Sequence, residues 1–186
     1  MAIRAGNAEV VKLLLDAGAP ANPSSHPDFS PLAEAAHWRR LDVMKMLLNA
    51  GAKVDATDHN GATYLAGYGY FDTRVLKVLL DAGANPNAAD EDGRTALMHA
   101  SHYGYEDAVI LLLEHGAMVN QKDSKGQSAL MYAAAGEYVD AIPHLLKKGA
   151  EVLAMDHDGK TALDLARASK NQVAAELLSA AMEGAR

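Results

Sequence analysis

The residues here with the most chemical potential are histidines, eight of them in 186 residues. His99 and His102 stand three positions apart in "MHASH". On a helix that spacing puts both imidazoles on one face, as two ligands of a metal site would require. No third ligand is placed by the sequence, and there is no cysteine to supply one. The alternative reading makes His99 a half-buried residue and His102 a surface contact. His157 lies between Asp156 and Asp158 in a turn-like stretch and reads as turn polarity. The acidic run from Asp90 to Gly93 could hold a cation or a basic partner, but Asp before Gly is ordinary hairpin-tip chemistry. No metal and no cofactor are expected.

Catalytic signatures are missing as well. The chain has no P-loop, G-x-S-x-G, H-E-x-x-H or G-x-G-x-x-G phrase. The string "GYGYFD" only begins like a dinucleotide fingerprint; it follows no strand and has no third Gly. The chain is expected not to be an enzyme. A net charge of −7 opposes general nucleic-acid binding, which needs a basic footprint. No apolar run approaches the roughly 20 residues of a membrane span, so no membrane insertion is expected. The composition, 49% hydrophobic and 22% charged, fits a soluble globular chain. Without Cys, the compartment stays open. A cytoplasmic location is slightly favoured, and export remains possible if a leader was removed.

The elements that would carry any site are set by a repeat. Gly-Ala follows an apolar helix-like run at 18, 51, 83, 116 and 149, at spacings of 33, 32, 33 and 33. The runs read "VVKLLLDAGA", "VMKMLLNAGA", "VLKVLLDAGA", "VILLLEHGA" and "IPHLLKKGA". Upstream of them recur "DGRTALMHA", "KGQSALMYA" and "DGKTALDLA", with weaker copies "DFSPLAEA" and "NGATYLAG". In each unit a Gly supplies the turn, and Thr or Ser caps a short helix anchored by Leu32, Leu65, Leu97, Leu130 or Leu163. A loop and a second, apolar-faced helix follow, and the next Gly ends that helix in the left-handed conformation. Asp140 is expected to cap the helix of "AIPHLLKKGA", which puts Pro143 in its first turn.

These phrases, with the paired leucines and the closing Asn22, Asn87 and Asn120 (Asp55 in the same place), resemble the ankyrin repeat family over essentially the whole chain. The resemblance implies an all-α solenoid of stacked helix–loop–helix units with short hairpin-like turns. The units fall at 1–22 (partial, second helix only), 23–55, 56–87, 88–120, 121–153 and 154–186. The partial first unit is either a degenerate cap or a cut into a longer array. The last reads as a C-terminal cap, with Lys170, Asn171, Gln172 and Glu176 turned outward. The chain departs from the family in two ways. Of the T-P-L-H phrase only Pro31 is kept and its His never is, so the usual buried His network should be missing. Leu153 also replaces the closing Asn.

One unit breaks the rhythm. The 32-residue spacing marks a deletion between Leu65 and Phe71, where Gly67 and Gly69 also weaken a helix by roughly 1 kcal/mol each. The first helix of 56–87 should therefore be short, bent or partly unwound. The same stretch holds Tyr64, Tyr68, Tyr70 and Phe71. Tyr64 and Phe71 are read as filler for the missing residue.

The family resemblance implies a concave, partner-facing surface lined by first-helix ends and hairpin tips. On it would lie Trp38 with His37, Tyr68 with Tyr70, and His102 with Tyr103, bordered by Arg39 and Arg40. The stripe fades at Ala135 and Gly136. Tyr, Trp and Arg dominate interface hot spots, although these rings could also be packing filler. The expected function is therefore binding of another protein, possibly as an inhibitor or immunity-type partner that masks an enzyme. The alternative is a targeting or scaffold segment of a larger enzyme or effector. On its own the chain is expected to be monomeric.

Overall fold

A computed structural model describes residues 1–23, 30–57, 62–67 and 72–184. Among these residues the secondary structure consists of helices and isolated β-bridges. The short first helices of the units are α1 (Ala2–Ala5), α3 (Pro31–His37), α5 (Tyr64–Gly67), α7 (Ala96–His102), α9 (Ala129–Ala135) and α11 (Ala162–Ala168). The second helices are α2 (Ala8–Asp16), α4 (Leu41–Asn49), α6 (Thr73–Asp81), α8 (Glu106–Glu114), α10 (Ala141–Lys147) and α12 (Gln172–Gly184). Second helices contact one another in order from α2 to α12, and α5, α7, α9 and α11 do the same in a parallel row. Leucines such as Leu32, Leu76, Leu112 and Leu178 are buried between the rows, whereas Leu13 and Leu14 of α2 and Leu177 of α12 are exposed. The core is accordingly one cluster running from Val11 to Leu178, thin and long, as stacked units require.

The stops and starts follow from local chemistry. After α4, the Gly51 N–H bonds the Leu48 carbonyl and the Ala52 N–H that of Leu47, at 3.0 and 2.9 Å. This is a Schellman motif, and Gly51 has the positive φ it demands, 83°. The pattern recurs at Gly83, where Ala84 bonds Leu79. First helices are capped by Ser30, Thr63, Thr95 and Thr161, whose hydroxyls accept backbone N–H bonds from Ala33, Ala66, Met98 and Asp164. Ser128, expected to cap α9, makes no such bond. Met98 and Asp164, which stand where the family phrase has His, pair instead with the cap residues. The Thr95 N–H meets Met98 Sδ at 3.4 Å, and the Thr161 N–H meets Asp164 Oδ2 at 3.0 Å.

The hairpin tips explain the acidic turn. Asp90 Oδ1 accepts from the N–H groups of Asp92 and Arg94, at 3.0 and 2.9 Å. Asp123 and Asp156 do the same in their own turns. These carboxylates shape the turns, and those of Asp90 and Asp123 close with isolated bridges, Ala89 to Thr95 and Lys122 to Ser128.

Successive units are also stapled. Asn22 Nδ2 donates to the Gly51 carbonyl at 2.8 Å while its Oδ1 accepts from the Lys53 N–H at 2.8 Å. Asn87 bridges Gly116 and Met118 in the same way, and Asn120 bridges Gly149 and Glu151. Asp55 has no amide to donate, so it only accepts, from the Asn85 N–H.

Several expectations need correction. The first unit is more than its second helix, since α1 packs against both α2 and α3. Asp140 precedes α10 but makes no capping bond with its side chain. Pro143 does lie in the first turn of α10, where no N–H is missed. Asn171 does not point outward. It is half-buried, caps Ala174 and donates to the Gly136 carbonyl at 2.9 Å. The expected shortening of α5 falls on residues 68–71, which lie outside the described residues.

Candidate functional site

The loop after each first helix positions the candidate residues. Trp38 ends α3 as its C-cap, and its ring N–H donates to Glu34 Oε1 at 3.2 Å. The indole stands edge-on to His37, with centroids 5.4 Å apart, and is 44% exposed. Tyr103 ends α7 in the corresponding place and is 47% exposed. The next residue in each loop takes the left-handed conformation, Arg39 at φ 55° and Gly104 at φ 70°. Gly is at ease there; Arg39 is not.

The two arginines serve the array before any partner. Arg39 Nε lies 3.5 Å from Asp72 Oδ2, which ties one loop to the start of the next unit's second helix. Asp72 caps α6 through the Arg74 N–H, at 3.0 Å. Its hydrogen bond to the Arg74 guanidinium holds its carboxyl below the usual carboxylate range, against partial burial. Arg40 reaches backward and donates through Nε and Nη2 to the Arg4 carbonyl, at 3.1 and 2.8 Å. Arg4 in turn pairs with Glu34.

His102 is half-buried rather than a plain surface residue. Its Nδ1 lies 3.4 Å from the Tyr132 carbonyl. Its ring meets Tyr103 and Tyr132 edge-on, at 5.0 and 6.0 Å. His99 is half-buried as expected and faces Asp90 Oδ2 at 3.1 Å. The two imidazoles thus have different partners. Among the described residues no group of three or more His, Asp or Glu side chains is placed to hold a metal ion. Tyr68 and Tyr70, as well as Phe71, lie outside the described residues.

Two site residues escape the sequence reading. Tyr105 lies 6.1 Å from Tyr103, ring to ring, and Tyr138 lies over the backbone of Gly104. They are 37% and 53% exposed. The aromatic patch therefore does not fade at Ala135 and Gly136; it continues through Tyr138. Gly136 is extended, at φ −74° and ψ 174°, so the loop into α10 takes a different course. The late start of α10 at Ala141, with its early proline, was the sequence signal for that course. Between the starts of α6 and α8 opens a cavity of about 450 Å³, lined by Asp72, Thr73, Gly104, Tyr105, Glu106 and Asp107.

A family model described as ankyrin repeats (3 copies) matches residues 1–58 and 63–156. The chain belongs to the ankyrin repeat family. Ankyrin repeats generally mediate protein–protein interaction and are typically non-catalytic binding modules. No curated protein matches the chain. In this ankyrin-repeat chain the unmatched residues 59–62 precede α5, and the unmatched stretch 157–186 includes the last helix pair, α11 and α12. No described helix is long and apolar enough to cross a membrane.

Proposed function

We propose that this chain binds a partner protein through the edge formed by its first-helix ends, the face expected to be concave. Trp38 and Tyr103 are the anchors, and His102 orients Tyr103 by ring contact. Arg39 and Arg40 flank the edge and hold its loops in place. The observation that carries this reading is the exposure of Trp38 (44%) and Tyr103 (47%) at the same C-cap position of their helices. Large rings fixed by few rotatable bonds and left in water are the usual raw material of protein interfaces.

The test is capture of a binding partner by the wild-type chain, followed by the same capture with Trp38→Ala, Tyr103→Ala and, as control, Val173→Ala on α12. Loss in the first two alone supports the edge. Equal recovery by all four proteins overturns it. The identity of the captured protein then separates an inhibitor or immunity-type role from a targeting role in a larger enzyme.

A further inference from the structure

We infer that the tyrosine patch around Gly104 is a seat for an arginine side chain of the partner; this rests on the protein-binding reading above. The exposed rings of Tyr103, Tyr105 and Tyr138 gather about one loop, with Tyr105 forming a wall of the 450 Å³ cavity. Around them the charge is negative. Glu106 and Asp107 open α8, and Glu137 and Asp140 flank Tyr138 in the loop into α10, all exposed. Not all of this charge is free: Glu106 faces His144 at 2.8 Å, and Asp72 at the cavity's far side is held by Arg39 and Arg74. Asp107 lines the cavity, and among the described residues it forms no ion pair, nor do the exposed Glu137 and Asp140.

An occupant of this surface must satisfy ring faces and carboxylates together. An aliphatic anchor would leave the carboxylates beside it poorly hydrated, and an acidic one would be repelled. A guanidinium is planar and weakly hydrated. It stacks on tyrosine and donates in a fork that matches a carboxylate. Lysine offers the charge without the plane. The chain's net charge of −7 favours approach of a basic segment over a longer range.

The probe is the capped peptide Ac-Arg-Arg-Arg-NH₂, titrated into the ¹⁵N-labelled full chain, with the tri-lysine and tri-glutamate peptides as comparisons. Saturable shifts at the amides of 104–108 and 138 are expected, with affinity at least about threefold above tri-lysine. Asp107→Asn and Tyr105→Ala should each weaken binding by about three- to tenfold, and Asp16→Asn on α2 should not. Asp107→Asn is a near-isosteric surface change, so it remains informative if Tyr105→Ala disturbs folding. Any of three results overturns the inference: shifts scattered over the acidic surface, equal binding of tri-lysine, or no saturation. If the peptide fails while Trp38→Ala still abolishes partner capture, only the arginine seat is lost and the binding edge stands.

Discussion

Gly104 lies directly beneath Tyr138: a Cβ added at Gly104 would stand 2.2 Å from the Tyr138 Cβ and 2.5 Å from its Cγ. Two constraints therefore meet at one position, a left-handed backbone and a ring carried in from the next unit. Gly104→Ala violates both and cannot be relieved by rotating the ring, since the Tyr138 Cβ itself is struck. The expected loss is about 1–3 kcal/mol by urea denaturation. A loss below a few tenths would mean that the loop into α10 shifts freely.

Lys170 offers the reverse test. It holds a left-handed φ of 60° and its side chain is exposed. Lys170→Gly removes that strain at the cost of a more flexible unfolded chain. A net gain of about 0.3–1 kcal/mol is expected, read as a raised Tm.

Leu112 is fully buried, whereas Trp38 and Tyr103 are nearly half exposed. Leu112→Ala should cost about 2–5 kcal/mol of stability. Trp38→Ala and Tyr103→Ala should each cost less than about 1 kcal/mol. Chemical denaturation of the three variants side by side checks this, and comparable losses would identify the rings as packing.

Burial, reinforced by the 2.8 Å hydrogen bond to Asp123, pushes the Tyr132 phenol well above its usual range. The folded state therefore keeps a proton that the unfolded state releases near pH 10. Stability from this group is complete below that pH and falls as pH rises through it toward the folded pKa. Tyr132→Phe should cost about 1 kcal/mol at neutral pH. It should also flatten the decline of Tm between about pH 10 and 11.

Burial also outweighs Asp90 at His99 and lowers its pKa below the ordinary imidazole value. Here the unfolded state binds the proton first. The contribution is whole above the unfolded pKa of about 6.5 and is lost as pH falls below it. A Tm profile from pH 7.5 to 5 should slope less in His99→Gln than in the wild type.

The repeat was legible because it is local. Gly51 and its counterparts need a left-handed stop, Leu97 and Leu130 need a core, and Asn87 needs a loop to bridge, each at a fixed offset. What the sequence hid depends on contacts across units. Arg40 looked like a border residue, yet its guanidinium is spent on the Arg4 carbonyl. Asn171 looked like cap polarity, yet it holds the Gly136 carbonyl. Tyr138 joined the aromatic patch only because Gly136 extends and redirects the chain, which no periodicity records. Asp140 and Ser128 carry good capping side chains that the helices do not use, since cap propensity is local and the chain's entry angle is not.

The Asn staples also make the molecule a row of unequal links. Asn22, Asn87 and Asn120 each grip the following loop by donor and acceptor, whereas Asp55 grips by acceptor alone. The loop it grips follows α6 and closes the unit 56–87. Under tension between its ends, the array should yield at that joint before any other. A single-molecule stretching trace would then show one early rupture at low force, followed by firmer steps from the better-fastened units on either side.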